Sequence, residues 1–315
     1  MRLHVLGLCA LLASSAVDAS CGSAFCVLNT NWATQGVSGD PGTVRLDMRY
    51  EFVEQKHLRM GGKQISQAED TADTTELRTI NRNLLTTLDY TVDKNWTVSA
   101  SLPVVARSHS HIADPAGAAA FEAWNFSRTG DTRALALYKF DNDDNPLVSY
   151  GFLGGLKLPA GDVHLRNADG AVAERALQPG SGSTDVILGG FYAAPGFDHD
   201  ASWSVQALIQ QPARIREDYK PGTQYQLNFG YRQPLTDSLH ALIQVNGLVR
   251  GRDTGLNAEP DLSGSKTVYL SPGLSYSYSS DVQVYGFVQL PVYRYVNGVQ
   301  LSADWALVAG FTIRF

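Results

Sequence analysis

The sequence predicts an all-β chain, a closed antiparallel transmembrane β-barrel of about twelve strands. Three observations predict it. Apolar and polar residues alternate with a period of two through most of the chain, as in strands with two unlike faces. Beyond the N-terminal segment there is no apolar run of roughly 18 residues, so no helix is expected to span a bilayer. The connections alternate in length, so one rim carries short turns and the other mostly long loops, the layout of an outer-membrane barrel.

Composition sets the outer limits. The 315 residues are 44% apolar and only 18% charged, with 29 glycines, 14 tyrosines and 12 phenylalanines. A disordered chain would be poorer in aromatics and richer in charge. The same counts exclude collagen and coiled coil. The net charge of −6 offers no basic footprint, so no nucleic-acid partner is expected.

Residues 1–19 read as a signal peptide. Arg2 supplies the positive end, Val5 to Ala16 the short apolar run, and Val17-Asp18-Ala19 the small-x-small cleavage site. Cys21 just past that site raises a lipoprotein reading, which the charge of Asp18 argues against. Residues 20–42 form a periplasmic or luminal segment without strand pattern. It holds Cys21 and Cys26, a disulfide candidate in an oxidising compartment. The barrel is expected over 43–315.

The first strand shows the pattern at its plainest. Val44, Leu46, Met48, Tyr50 and Phe52 alternate with Arg45, Asp47, Arg49 and Glu51. A soluble β-sandwich has no need of four charges on one face of a strand whose other face is wholly apolar. Alternation then places strands near 43–53, 78–92, 96–106, 131–141, 148–158, 183–194, 202–212, 223–233, 238–250, 266–279, 282–294 and 299–315. The turns at Asp93-Lys94-Asn95, Leu235-Thr236-Asp237 and Ser280-Asp281 are tight. The connections at 54–77, 107–130, 159–182 and 251–265 are long. In lipid every backbone group must be paired, so such a sheet has to close on itself. Tyr90, Trp96, Tyr192, Trp203, Tyr231, Tyr276, Tyr278 and Phe315 lie near strand ends, where an interfacial girdle belongs. Pro103, Pro272 and Pro291 fall inside strand patterns and are expected at bulges or unpaired positions.

Two resemblances follow. The segment Ala303 to Phe315 resembles the terminal strand signal of bacterial outer-membrane proteins, with Trp305, Phe311, Ile313 and Phe315 as its apolar members. That resemblance implies the outer membrane of a Gram-negative bacterium, with periplasmic chaperones and the barrel-insertion machinery as partners, and the short turns predict periplasmic termini. Ser101-Leu102-Pro103-Val104-Val105, Gly154-Gly155-Leu156-Lys157-Leu158-Pro159-Ala160-Gly161, Pro179-Gly180-Ser181-Gly182-Ser183-Thr184-Asp185 and Tyr269-Leu270-Ser271-Pro272-Gly273-Leu274 resemble a family of outer-membrane transporters named after a meta-cleavage pathway of phenol degradation. The likeness runs from about Val44 to Phe315. It implies passage of a small solute and leaves the solute open.

Alternation points Arg45, Asp47, Arg49, Glu51, Asp89, Arg232, Arg250, Asp304 and Arg314 into the lumen, with Asn81, Asn83, Gln206, Asn228, His240, Gln244 and Asn246 among the neutral groups. Two roles are open for the charges: a salt-bridge network bracing a narrow interior, or a constriction selecting small solutes. The segments Ala113 to Phe126 and Leu165 to Leu177 are read as loops that fold inward or form a short helix above the pore. A surface interaction barrel without conductance is the rival reading. A hydrolase built from Ser108 or Ser110, His109 or His111, and Asp114 has less support, because a triad is recognised by geometry. His109, His111 and Asp114 also have a permissive but weak metal spacing, and a solvent-exposed polar loop is the simpler expectation. No enzyme activity, cofactor or metal is expected. The expected partners are outer-membrane lipid and a small solute.

Overall fold

The computed structural model describes residues 40–70, 74–113, 119–142, 144–196 and 201–315. The expected signal peptide, the disulfide candidates Cys21 and Cys26, and Asp114 lie outside the described residues. The barrel strands are β1 (Val44–Gly61), β2 (Lys63–Gln64), β3 (Thr74–Thr91), β4 (Trp96–Ala113), β5 (Ala120–Thr129), β6 (Thr132–Lys139), β7 (Ser149–Leu158), β8 (Thr184–Pro195), β9 (Ser202–Arg214), β10 (Gln224–Pro234), β11 (Leu239–Arg250), β12 (Ser265–Ser277) and β13 (Val282–Arg314). They form one sheet, and each strand pairs antiparallel to its neighbours.

Three details reduce this list to about twelve crossings. β2 is a two-residue extension paired with β1. β4 pairs with β6 over its lower part and with β5 over its upper part, so β5 and β6 are two halves of one crossing. β13 pairs with β12 over Gln283–Val296 and with β1 over Val296–Arg314. It is therefore two arms joined near Gly298, whose φ of +60° is a left-handed conformation that favours glycine. Pairing of β13 with β1 closes the barrel, and among the described residues β5 joins the sheet through β4 alone. No helix among the described residues is long and apolar enough to cross a membrane; the wall crosses with strands.

The interior and exterior exchange the roles they have in a soluble protein. Asp47 and Asn246 are fully buried, whereas Leu227 is 58% and Phe152 62% exposed. The apolar face is the lipid face, where a charged side chain near the midplane would cost about 2–4 kcal/mol. Rings on the outer face form a continuous belt near the short turns. Trp96, Tyr138, Phe140, Tyr150, Tyr192, Trp203 and Phe229 follow one another with centroid separations of 4.9, 5.1, 5.4, 6.4, 5.2 and 6.4 Å. Amphipathic rings belong at the edge of the bilayer, so the belt marks the lower membrane interface.

The upper limit of the apolar band is also visible. Phe52, Arg82 and Ala106 stand at one level across β1, β3 and β4, and the Arg82 guanidinium lies over the Phe52 ring at 5.9 Å. Above this level the outer face turns polar. Arg78 donates to Glu54 at 2.8 Å, and Ser108 donates to Asn125 at 3.2 Å.

This corrects the expected loops. β1 continues to Gly61 and β4 to Ala113, and β5 occupies 120–129, where connections had been expected. Within Ala113 to Phe126, Ala113 ends β4 and residues 120–126 belong to β5, so the described part is mostly strand. The backbone ladder persists above the lipid, but the outer face no longer has to be apolar there, so the alternation that identifies a strand fades.

The prolines divide. Pro291 sits at a register shift opposite Val268/Tyr269, a bulge as expected. Pro103 and Pro272 do not sit at bulges. Pro103 faces the gap between β5 and β6, and Pro272 lies in a stretch of the β12–β13 ladder without paired partners. Both use an unpaired position, where a missing N–H is harmless.

Candidate functional site

The lumen has a lower and an upper part. At the short-turn rim a vestibule of about 780 Å³ opens, lined by serines such as Ser204 and Ser275 together with Arg232, Tyr285 and Arg314. Above it, two cavities of about 60 and 50 Å³ lie against the wall.

Cross-strand neighbours build the lower network. β1 sits between β3 and the second arm of β13, so its inward charges reach both. Arg45 donates through Nε and Nη2 to Asp89 at 3.0 and 2.7 Å. Asp47 accepts from the Tyr285 hydroxyl at 2.9 Å and from Thr312 at 2.9 Å. Arg49 pairs with Glu51 at 2.8 Å. Charge-assisted bonds of this kind offset the desolvation of the ions. Arg232 lies 2.6 Å from the His240 ring.

The other proposed lumen residues are placed differently. Arg250 is buried at the long-loop rim, where its Nη2 meets both oxygens of Asp253 at 2.7 Å. Asp253 also accepts from the Tyr219 hydroxyl and the Gly222 amide. Arg250 therefore fastens external loops to the wall. Asp304 is exposed and pairs with His57 at 2.9 Å and Arg294 at 3.4 Å, outside the buried network. Arg314 stands at the mouth of the vestibule, opposite Arg45 in register.

A second network lies higher and was missing from the inward residues read from alternation. Lys157 Nζ, 2% exposed, stands 2.9 Å from Asp185 and 3.3 Å from Asp131. It also donates to Ser181, and to Ser183 at 3.1 Å. Asp131 accepts from the Ser181 amide and hydroxyl at 2.9 and 2.6 Å, and from the Gly161 amide at 3.1 Å. Asp185 accepts from Ser183 and Gln210, both at 2.6 Å. The Gly154–Gly161 and Pro179–Asp185 segments that carried the family resemblance thus meet around one buried lysine. They hold the two ends of the β7–β8 connection together. A Cβ on Gly180 would stand 2.4 Å from the Gly161 carbonyl oxygen, so only glycine permits this crossing.

Between those ends the chain folds into the barrel. Leu165, Ala173 and Leu177 pack on the inward residues Val105, Trp124 and Phe126. Gln178 receives the Leu165 amide at 2.9 Å and donates to the Ala173 carbonyl at 2.6 Å. Trp124 Nε1 donates to the Ala171 carbonyl and Arg107 to the Ala176 carbonyl. Burying backbone requires such partners. The inward alternative for Leu165 to Leu177 is the one the structure adopts, without a helix.

The histidines are also relocated. His109 and His111 are buried on the inner face of β4, not in an exposed loop. Ser108 and Ser110 project to the opposite face of the same strand, so the alternation separates the serine and histidine pairs. No Ser–His pair forms from these four residues.

The profile of the family described as "Putative MetA-pathway of phenol degradation" matches residues 85–303. The chain belongs to this family. No curated protein matches it. Among solved structures, an outer membrane channel from Pseudomonas putida F1 is similar with a TM-score of 0.66 and 14% identity, over 90% of this chain and 98% of that one. The KdgM porin is a looser likeness, with a TM-score of 0.43, 11% identity, and 86% and 99% coverage. CymD, a monoaromatic hydrocarbon channel, gives 0.44, 11%, and 88% and 89%. This member of the phenol-degradation family has the β-barrel fold of the Pseudomonas putida outer membrane channel.

Proposed function

We propose that the barrel passes small polar solutes and that the segment 159–183 sets the width of the path. One observation carries this reading: that segment is folded into the lumen, with its C-terminal end held by the buried Lys157 through Ser181 and its N-terminal end by the Lys157 partner Asp131 through the Gly161 amide. A solute entering the vestibule meets hydroxyls and guanidinium groups that replace part of its hydration. Arg45, Asp47, Arg49, Glu51 and Asp89 then serve as wall and brace together, because paired charges of both signs attract polar solutes without trapping them.

Single-channel recording in planar bilayers tests the proposal. Steady current steps are expected, and Arg49→Glu should move the reversal potential toward cation preference. A correctly folded barrel that carries no current would contradict it and favour a surface interaction protein.

The partner side rests on Trp305, Phe311, Ile313 and Phe315, the apolar members of the arm that pairs with β1. Phe315 is 73% exposed, so it contributes little to packing and is free for recognition by the insertion machinery. Phe315→Ala should lower the yield of assembled barrel in cells while leaving the stability of refolded protein unchanged.

A further inference from the structure

In the upper barrel, two imidazoles and a carboxylate converge in a site the channel reading does not use. Glu76 on β3 and His109 and His111 on β4 all face inward and are buried, their side chains no more than 3% exposed. His109 Nε2 lies 3.2 Å from His111 Nδ1 and 3.4 Å from Glu76 Oε2. All three ligand atoms lie within 4.8 Å of one another. With metal–nitrogen bonds of about 2.0–2.1 Å, two donors on a tetrahedral ion stand about 3.3 Å apart. Two of the three separations already have that length.

Each outward nitrogen has an oxygen within reach, which allows the tautomers whose inward nitrogens carry the lone pairs. His109 Nδ1 is 2.8 Å from the Thr79 hydroxyl, and His111 Nε2 is 3.4 Å from a Glu122 oxygen. If each ring gives its N–H to that outer partner, the lone pairs of His109 Nε2 and His111 Nδ1 face one another beside a carboxylate. Such an arrangement calls for a cation. Ring nitrogens held by an outer hydroxyl or carboxylate are the usual support of metal-bound histidine. Glu174, on the infolded segment, places Oε1 3.9 Å from His111 Nδ1 and is the nearest candidate for a fourth donor.

We propose that Glu76, His109 and His111 bind a divalent ion of the zinc class, one that prefers imidazole and carboxylate donors. Joined by Glu174, the ion would tie the infolded segment to β3 and β4. The proposal does not depend on conductance, because its test reads binding.

The test uses full-length barrel in detergent, stripped with chelator, in a Cys21→Ser/Cys26→Ser background that removes the thiols. Zn²⁺ calorimetry should give one ion per chain, with a Kd in the micromolar range or tighter. Co²⁺ should give the intense visible absorption of a four-coordinate site. Trp124 lies 5.1 and 5.9 Å from the two imidazoles, ring centre to ring centre. Co²⁺ should therefore quench tryptophan fluorescence, and Trp124→Phe should remove most of that quenching. His109→Gln and His111→Gln should each weaken binding at least 100-fold, and Glu122→Gln by about tenfold. Heat-dependent gel mobility confirms that each variant is a folded barrel. If a histidine variant does not fold, the near-isosteric Glu76→Gln replaces it and should also lose at least tenfold. A folded parent that binds no Zn²⁺, or an affinity that survives His109→Gln, His111→Gln and Glu76→Gln alike, would overturn the proposal.

Discussion

The lower and upper halves of the barrel solve the same problem differently. Near the short turns the wall is thinly filled: charges pair across strands, as Arg45 does with Asp89, and a vestibule of about 780 Å³ stays open. In the upper half a length of chain enters the lumen, and its backbone and apolar side chains fill the space. In the lower half the partners come from β1 itself and from strands close by in the wall, so the wall alone makes the network. In the upper half the partners come from a connection and must be fastened. Lys157, Asp131 and Asp185 perform that fastening. The difference teaches that the strands fix the wall, whereas one anchored connection fills part of its interior.

Lys157→Met should have the largest effect. It leaves Asp131 and Asp185 buried without their shared cation, a loss of about 3–5 kcal/mol for a broken buried pair. Thermal unfolding of the detergent-solubilised barrel should show a markedly lower Tm, and surviving channels should carry more current. Equal Tm and current would show that the upper segment is held by something else.

Gly180→Val comes next. Its Cβ would collide with the Gly161 carbonyl at 2.4 Å, so the crossing must open. The expected destabilisation is about 1–3 kcal/mol, with faster proteolysis between Leu165 and Leu177. Proteolysis at the parental rate would separate the crossing from the fastening.

The smallest effect belongs to the lower rim. Lys94 donates to Asp141 at 2.8 Å and Asn95 to the same carboxylate at 3.0 Å. These bonds hold the Asp141 carboxyl below its usual range. A lowered folded-state pKa gives stability that is present above the ordinary carboxylate pKa and is lost as pH falls through the lower one. The pair is exposed, so Lys94→Met should shift Tm only slightly at pH 7 and not at all once the carboxyl is protonated. A large shift at both pH values would contradict this account of the rim.

Much of the lower half was legible in the sequence, because lipid forces an apolar outer face and that face writes a period of two. The expected strand ends at 53 and 106 fall beside Phe52 and Ala106, where the outer face turns polar at Arg82. The upper continuations of β1 and β4, and the whole of β5, kept their ladder without that requirement, so they read as loops. Arg45, Asp47, Arg49, Glu51 and Asp89 were legible as inward groups for the same reason. Lys157 sits inside Gly-Gly-Leu-Lys-Leu-Pro, where small residues hide the alternation, and its partners lie on other strands and in a connection. Its trace was the pair of Gly/Pro-rich segments, which mark close backbone approach before any partner is known. Glu76, Glu122 and Glu174 gave no sign of converging on His109 and His111, since three separate segments bring them there.

The most direct measurement of the central point is the single-channel conductance of a variant in which residues 164–177 are replaced by a short Gly/Ser linker, compared with the parent. Gly161, Lys157 and Gly180 are kept, so the fastening is untouched. Conductance should rise severalfold, with larger neutral polymers gaining access to the lumen. Unchanged conductance in a barrel shown to be folded would contradict the claim that this infolded segment sets the width of the path.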